Sequence, residues 1–163
     1  MRIIRIDKNN QVNGDGLRCV IWFAGCNHQC QGCHNPETWD FNCGHDLNID
    51  DMDVIYDQLE RDEISGITLT GGDPIYQYKE LLPFLEQIKI NFPNKTIWCY
   101  TGFNYEEIDH LPVMEFIDVL IDGKYISSLN PGINKILWRG STNQRIIDVQ
   151  KSLDENSLIL YEN

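Results

Sequence analysis

Three of the six cysteines in this 163-residue chain crowd into Cys26-Asn27-His28-Gln29-Cys30-Gln31-Gly32-Cys33. Three residues separate the first pair and two the second, so a single loop can turn all three thiols toward one metal centre. Two chemistries suit such a set. An iron–sulfur cluster normally takes four thiolates, so three leave one iron open to a substrate or cofactor, much as catalytic zinc keeps a coordination place free. The other is a closed zinc site with Cys43, His28 or His34 as fourth ligand, although a second Cys-x-x-Cys knuckle, usual for zinc, is absent. Cys19 and Cys99 lie inside apolar runs and read as buried small hydrophobes, whereas Cys43 sits in a polar stretch as a zinc ligand or an incidental thiol.

A second group of residues suits a ligand rather than a metal. Gly71-Gly72-Asp73-Pro74 closes an apolar run, and two residues without Cβ atoms let a backbone approach a bound molecule closely while Asp73 complements a cation. Pro74 biases Asp73 toward extended backbone. Seen alone, the same tetrapeptide is also an ordinary strand-to-helix turn.

Positioning these groups requires a scaffold, and short β-rich runs alternate with amphipathic stretches from one end of the chain to the other, the pattern of parallel α/β architecture. Arg18 to Ala24 reads as a strand that delivers the cysteines to its carboxyl end, where open α/β sheets bind ligands. Residues 50–59 read as a helix with Met52, Ile55 and Leu59 on one face and leading aspartates as its cap. Gly66–Thr70 reads as a buried strand, followed by a helix through Leu82, Leu85 and Ile88 whose start Pro83 obscures. Thr96–Tyr100 and Phe116–Ile121 are further strands ending at Thr101-Gly102 and Asp122-Gly123, and Ile136–Trp138 and Ser157–Tyr161 are weaker strand expectations. No linker or repeat divides the chain, so residues 1–163 read as a single domain. The length falls below the roughly 200–250 residues of a complete eight-stranded α/β barrel, so any barrel must be partial and open on one side.

Composition narrows the setting. Thirteen basic against 25 acidic residues leave a net charge of −12, which disfavours phosphate backbones and anionic surfaces and hence nucleic acid as a partner. The longest apolar run is far short of the ~18 residues needed to span a bilayer, so neither a membrane segment nor a membrane partner is expected. A cytoplasmic setting, where thiols stay reduced, makes metal ligation the natural use of the clustered cysteines.

The cysteine spacing resembles that of the radical S-adenosylmethionine superfamily. Five blocks in order resemble its glycyl-radical-enzyme activating branch, the activating proteins of anaerobic ribonucleoside-triphosphate reductases: Asn13 to Arg18, Gly25 to Trp39, Thr70 to Pro74, Val119 to Lys124 and Trp138 to Gln144. The resemblance implies a (β/α)6 partial barrel with mostly parallel strands, about six of them, and a 4Fe-4S cluster on Cys26, Cys30 and Cys33. S-adenosyl-L-methionine would chelate the open iron and yield a 5′-deoxyadenosyl radical. That radical would take a hydrogen from a glycine of the reductase, with a flavodoxin-like protein as electron donor. Gly71, Gly72 and Asp73 would hold the cofactor's methionyl end, and Lys124 would approach its carboxylate. Gly32 replaces the aromatic that many superfamily members carry before the third cysteine, which leaves backbone groups of Gly32 and His34 for the adenine. The late block has no assigned role, and Arg139 within it is either a structural pair or a partner contact. A related radical enzyme acting on a metabolite, such as a deazapurine-forming one, and a non-catalytic zinc-stabilised interaction module are the competing readings.

Overall fold

The computed structural model describes residues 1–132 and 135–162. Its strands are β1 (Arg2–Asn10), β2 (Leu17–Phe23), β3 (His45–Asp46), β4 (Ile64–Gly71), β5 (Thr96–Tyr100), β6 (Val119–Asp122) and β7 (Arg145–Asp148). The helices are α1 (Ile49–Leu59), α2 (Tyr78–Asn91), α3 (Tyr105–Ile108) and α4 (Val149–Glu155). All seven strands form one sheet in the order β3-β1-β2-β4-β5-β6-β7. The central β2, β4, β5 and β6 pair parallel, while β1 on one side and β7 on the other pair antiparallel. The sheet is thus mixed and mostly parallel, with four adjacent parallel strands among the described residues where the resemblance implied about six.

The period-2 alternation of strands decides what each face carries. In β2, Cys19, Ile21 and Phe23 join Ile67 and Leu69 of β4, Ile97 and Cys99 of β5 and Leu120 of β6 in the main core, packed with Ile55 and Leu59 of α1 and Leu81, Leu85 and Ile88 of α2. The intervening residues make the second face: Arg18 meets Thr68, Trp22 and Thr70 line a cavity, and Trp98 clusters with Val119 and Ile121. Coverage on both faces explains why these strands read as continuous apolar runs.

Several expectations are corrected. The cap of α1 is Asn48, not an aspartate: its side chain accepts from the amides of Asp50 and Asp51, and Asp51 returns the bond to the Asn48 amide. The helix containing Pro83 begins at Tyr78, after a 3-10 turn at Pro74–Gln77, because one missing amide donor is outweighed by its buried Leu81, Phe84, Leu85 and Ile88. The sixth strand starts only at Val119, since Phe116 closes a 3-10 turn. Ile136–Trp138 is irregular rather than a strand; Trp138 has φ of 55° and its ring packs edge-on against Trp98 at 5.0 Å. In Ser157–Tyr161 a single bridge joins Leu160 to Ile147.

Candidate active site

The loops leaving β2, β4, β5 and β6 meet around one cavity of about 370 Å³ at the carboxyl end of the parallel strands. The cysteine loop follows β2 directly. It is tied back by Gly25 N donating to Thr38 O at 2.8 Å and Cys26 N to Trp39 O at 3.1 Å, both at the 3-10 turn Pro36–Thr38. Cys33 N donates to Cys30 O at 3.0 Å, closing a turn between the last two thiols, and the Asn35 amide donates to Cys33 Sγ at 3.4 Å. Cys26, Cys30 and Cys33 all line the cavity. Burial pushes the Cys26 thiol up to about 11.

Of the other thiols, Cys19 and Cys99 are fully buried, as expected, and burial raises both, Cys19 to about 12. Cys43 does not line the cavity; its carbonyl accepts from Arg2 Nε instead. Among the described residues, no group of three or more His, Cys, Asp or Glu side chains is gathered tightly enough to hold one metal ion.

Gly71, Gly72 and Asp73 stand beside the thiols, and their close packing has a cause within the protein. Gly72 N donates to Phe23 O at 2.8 Å and Asp73 N to Gly25 O at 2.9 Å, so this loop lies on the backbone from which the cysteine loop departs. A Cβ on Gly72 would come within 2.4 Å of Gly25 O. Asp73 is 1 % exposed, and protein donors from Ile75, His28, Thr101 and Gly102 take both of its oxygens. These bonds tie the loops together around Asp73, which also lines the cavity.

The remaining expected residues divide. His34 lines the cavity and packs tilted against Tyr125, ring centroids 4.6 Å apart. Gly32 does not line it: the residue is exposed, has φ of +74°, and lies where a Cβ would meet Ser127, so its backbone conformation explains the glycine. Lys124 is exposed and faces a neighbouring groove of about 560 Å³, and its carbonyl accepts from Asn143 Nδ2. Its side chain is not brought to the cysteine cavity, because Gly123 (φ +91°) turns the chain away at the end of β6.

The cation that does line the cavity is Arg139, whose role the sequence left open. Gln144 builds its wall. Gln144 Oε1 accepts from the amides of Gly140 and Ser141, Nε2 donates to Gly123 O at 2.9 Å, and its carbonyl accepts from Arg139 Nη1 at 2.9 Å. Arg139 Nε is buried and has no hydrogen-bond partner among the described residues. Only the ordered late block pointed toward it.

Residues 12–147 match the family model described as a 4Fe-4S single cluster domain, so the chain is a member of that iron–sulfur class. It is 40% identical over 148 residues to the anaerobic ribonucleoside-triphosphate reductase-activating protein of Enterobacteria phage T4, covering 90% of this chain and 93% of the relative. Its identity to the protein of the same name from Haemophilus influenzae is 37% over 155 residues, 90% and 97% of the two chains. The Escherichia coli protein is 37% identical over 139 residues, 82% and 89% of the two. The chain belongs to the family of anaerobic ribonucleoside-triphosphate reductase-activating proteins and is an activating enzyme. No helix among the described residues is long and apolar enough to cross a membrane.

Proposed function

We propose that this protein is a radical S-adenosylmethionine oxidoreductase that generates a glycyl radical on an anaerobic ribonucleoside-triphosphate reductase. The observation that carries the reading is that three thiols, the double-glycine loop and the Arg139 guanidinium line one cavity in a chain of this family. The cavity volume falls within the roughly 300–1,000 Å³ of small-molecule sites.

The residues fit the two groups. Cys26, Cys30 and Cys33 supply three soft donors and leave a fourth position open, and Arg139 is a cation in the lining of the kind that suits a carboxylate. When bound, the 4Fe-4S cluster and S-adenosylmethionine supply the electron and the 5′-deoxyadenosyl radical. The protein holds the thiols by the Gly25 and Cys26 amide bonds, seats the methionyl end against the Gly71–Gly72 backbone, and walls the site with Trp22, Tyr100 and Trp138. Arg139 takes the carboxylate contact that the resemblance gave to Lys124, and His34 on Tyr125 stands at the wall for the adenine. The four parallel strands with loops gathered at their carboxyl ends support a partial barrel of the radical S-adenosylmethionine type, and the family name of the relatives supports the reductase as partner. A flavodoxin-like donor completes the reading.

The test is anaerobic reconstitution. About four iron per chain and an electron paramagnetic resonance signal that changes on adding S-adenosylmethionine are expected. Addition of the reductase should then yield a protein radical doublet and free 5′-deoxyadenosine. An intact cluster that yields neither product overturns the reading.

A further inference from the structure

Asp73 holds three loops through one oxygen. Its Oδ2 accepts from His28 Nε2 at 2.7 Å, Thr101 Oγ1 at 2.8 Å and the Gly102 amide at 2.9 Å, while Oδ1 accepts from the Ile75 amide at 3.0 Å. His28 comes from the middle of the cysteine loop, Asp73 from the loop after β4, and Thr101 and Gly102 from the end of β5. Donor and acceptor are shut away from water, with 7 % of the His28 side chain and 2 % of the Asp73 side chain exposed. A carboxylate oxygen accepts, which makes Nε2 the donor in the tautomer that satisfies this bond.

The ring of His28 has little freedom. Phe103 meets it edge-on at 4.6 Å and Tyr76 lies at 5.4 Å. A Cβ at residue 102 would fall 2.4 Å from the ring, so the glycine after Thr101 makes room for it. His28 and Gly102 also stand between the cysteine cavity and the neighbouring groove, lining both. The latch therefore joins the loop bearing all three thiols to the double-glycine loop at the boundary of the cavity. Positioning matters here because a misplacement of about 1 Å can cost a reaction about 10²-fold.

We propose that His28 is a positioning residue for the reaction: through the shared oxygen of Asp73 it fixes the cysteine loop against the Gly71–Gly72 loop, and with it the placement of the cofactor's methionyl end. The inference rests on the reading of the cavity as a cluster and S-adenosylmethionine site. Asp73 acts here through its protein donors.

Full-length wild type, His28→Phe, His28→Gln and Asp73→Asn, reconstituted anaerobically, test it. His28→Phe keeps a ring without a donor, and His28→Gln restores a donor near the Nε2 position. The readouts are iron and sulfide per chain, S-adenosylmethionine affinity by equilibrium dialysis, the resonance spectrum of the reduced cluster with and without S-adenosylmethionine, and 5′-deoxyadenosine released per glycyl radical. His28→Phe should keep wild-type iron, bind S-adenosylmethionine about tenfold more weakly, as loss of a charge-assisted hydrogen bond implies, and release more 5′-deoxyadenosine per radical. Asp73→Asn should behave likewise, and His28→Gln should recover most of the affinity and coupling. Wild-type affinity and coupling in His28→Phe overturn the proposal. Iron that falls in step with affinity in His28→Phe and His28→Gln also overturns it, because the histidine would then only fold the cysteine loop. A wild type that holds a cluster yet ignores S-adenosylmethionine brings down the functional reading itself, and the positioning role with it.

Discussion

Two buried charges stand at opposite ends of the parallel strands, and they are solved in opposite ways. Arg18, 1 % exposed near the start of β2, donates to Thr68 Oγ1, Asp15 O, Thr96 Oγ1, Ile67 O and Thr96 O at 2.6–3.0 Å. Every acceptor is neutral, most belong to strands, and the guanidinium also lies over the Trp98 ring at 5.2 Å. Burial pushes its pKa down to about 10. Asp73 is equally buried, yet its donors come from loops and it borders an open cavity. A buried charge satisfied by strands braces the sheet, whereas one satisfied by loops decides how those loops stand to one another. The amino end of the sheet is thus built for stability and the carboxyl end for chemistry.

That division can be broken by substitution. Cys30→Ala should abolish cluster assembly, read as iron and sulfide after reconstitution, while the far-ultraviolet circular dichroism of the apo form stays as in wild type; normal iron would remove Cys30 from the ligand set. Arg18→Met should do the reverse. It strands several buried acceptors, so a loss of about 3 kcal/mol is expected, or a fall of about 6–12 °C in Tm, with iron per folded chain unchanged. A loss of iron without a loss of Tm would erase the distinction between the two ends.

Within the carboxyl end, Arg139 and Lys124 sharpen the comparison. Arg139→Gln should weaken S-adenosylmethionine binding roughly ten- to a hundredfold, while Lys124→Gln stays near wild type. Decarboxylated S-adenosylmethionine should bind wild type and Arg139→Gln alike. The opposite ranking of the two variants would return the carboxylate contact to Lys124.

The smallest effect belongs to a surface pair. Hydrogen bonds from Arg145 hold the Glu106 carboxyl down to about 2, with Nη1 and Nη2 each 2.8 Å from a carboxylate oxygen. A depressed acid pKa stabilises fully above the ordinary value near 4.3 and loses that contribution as pH falls toward about 2. The Glu106 side chain is 58% exposed, so the contribution should stay under about 1 kcal/mol. Glu106→Gln should flatten that part of the stability profile in urea titrations between pH 5 and 2; an unchanged slope would show that Asp122 alone holds Arg145.

The fold was legible where burial on two faces writes a continuous apolar run. β2, β4 and β5 stand within about two residues of their expected places. Arg2–Asn10, the longest strand, hid because charges interrupt it: it pairs with β2 and β3 and keeps much of its length half-exposed. Arg145–Asp148 hid for the same reason, with Arg145 and Asp148 flanking two apolar residues. Ile136–Trp138 misled in the other direction, because Trp138 packs on the second face of the sheet and, with Ile136, lines the cavity without pairing, while Leu137 stays exposed.

The sequence by itself determined the cysteine triplet, the double-glycine motif and the family, because these depend on residue types at short spacings. Tertiary structure decided which cation lines the cavity, why Gly72 is glycine, and which donors Asp73 takes. Those outcomes depend on contacts between residues far apart in the chain, such as the 45 positions between His28 and Asp73. Local spacing encodes donors, but only folding brings a donor from one loop to an acceptor on another.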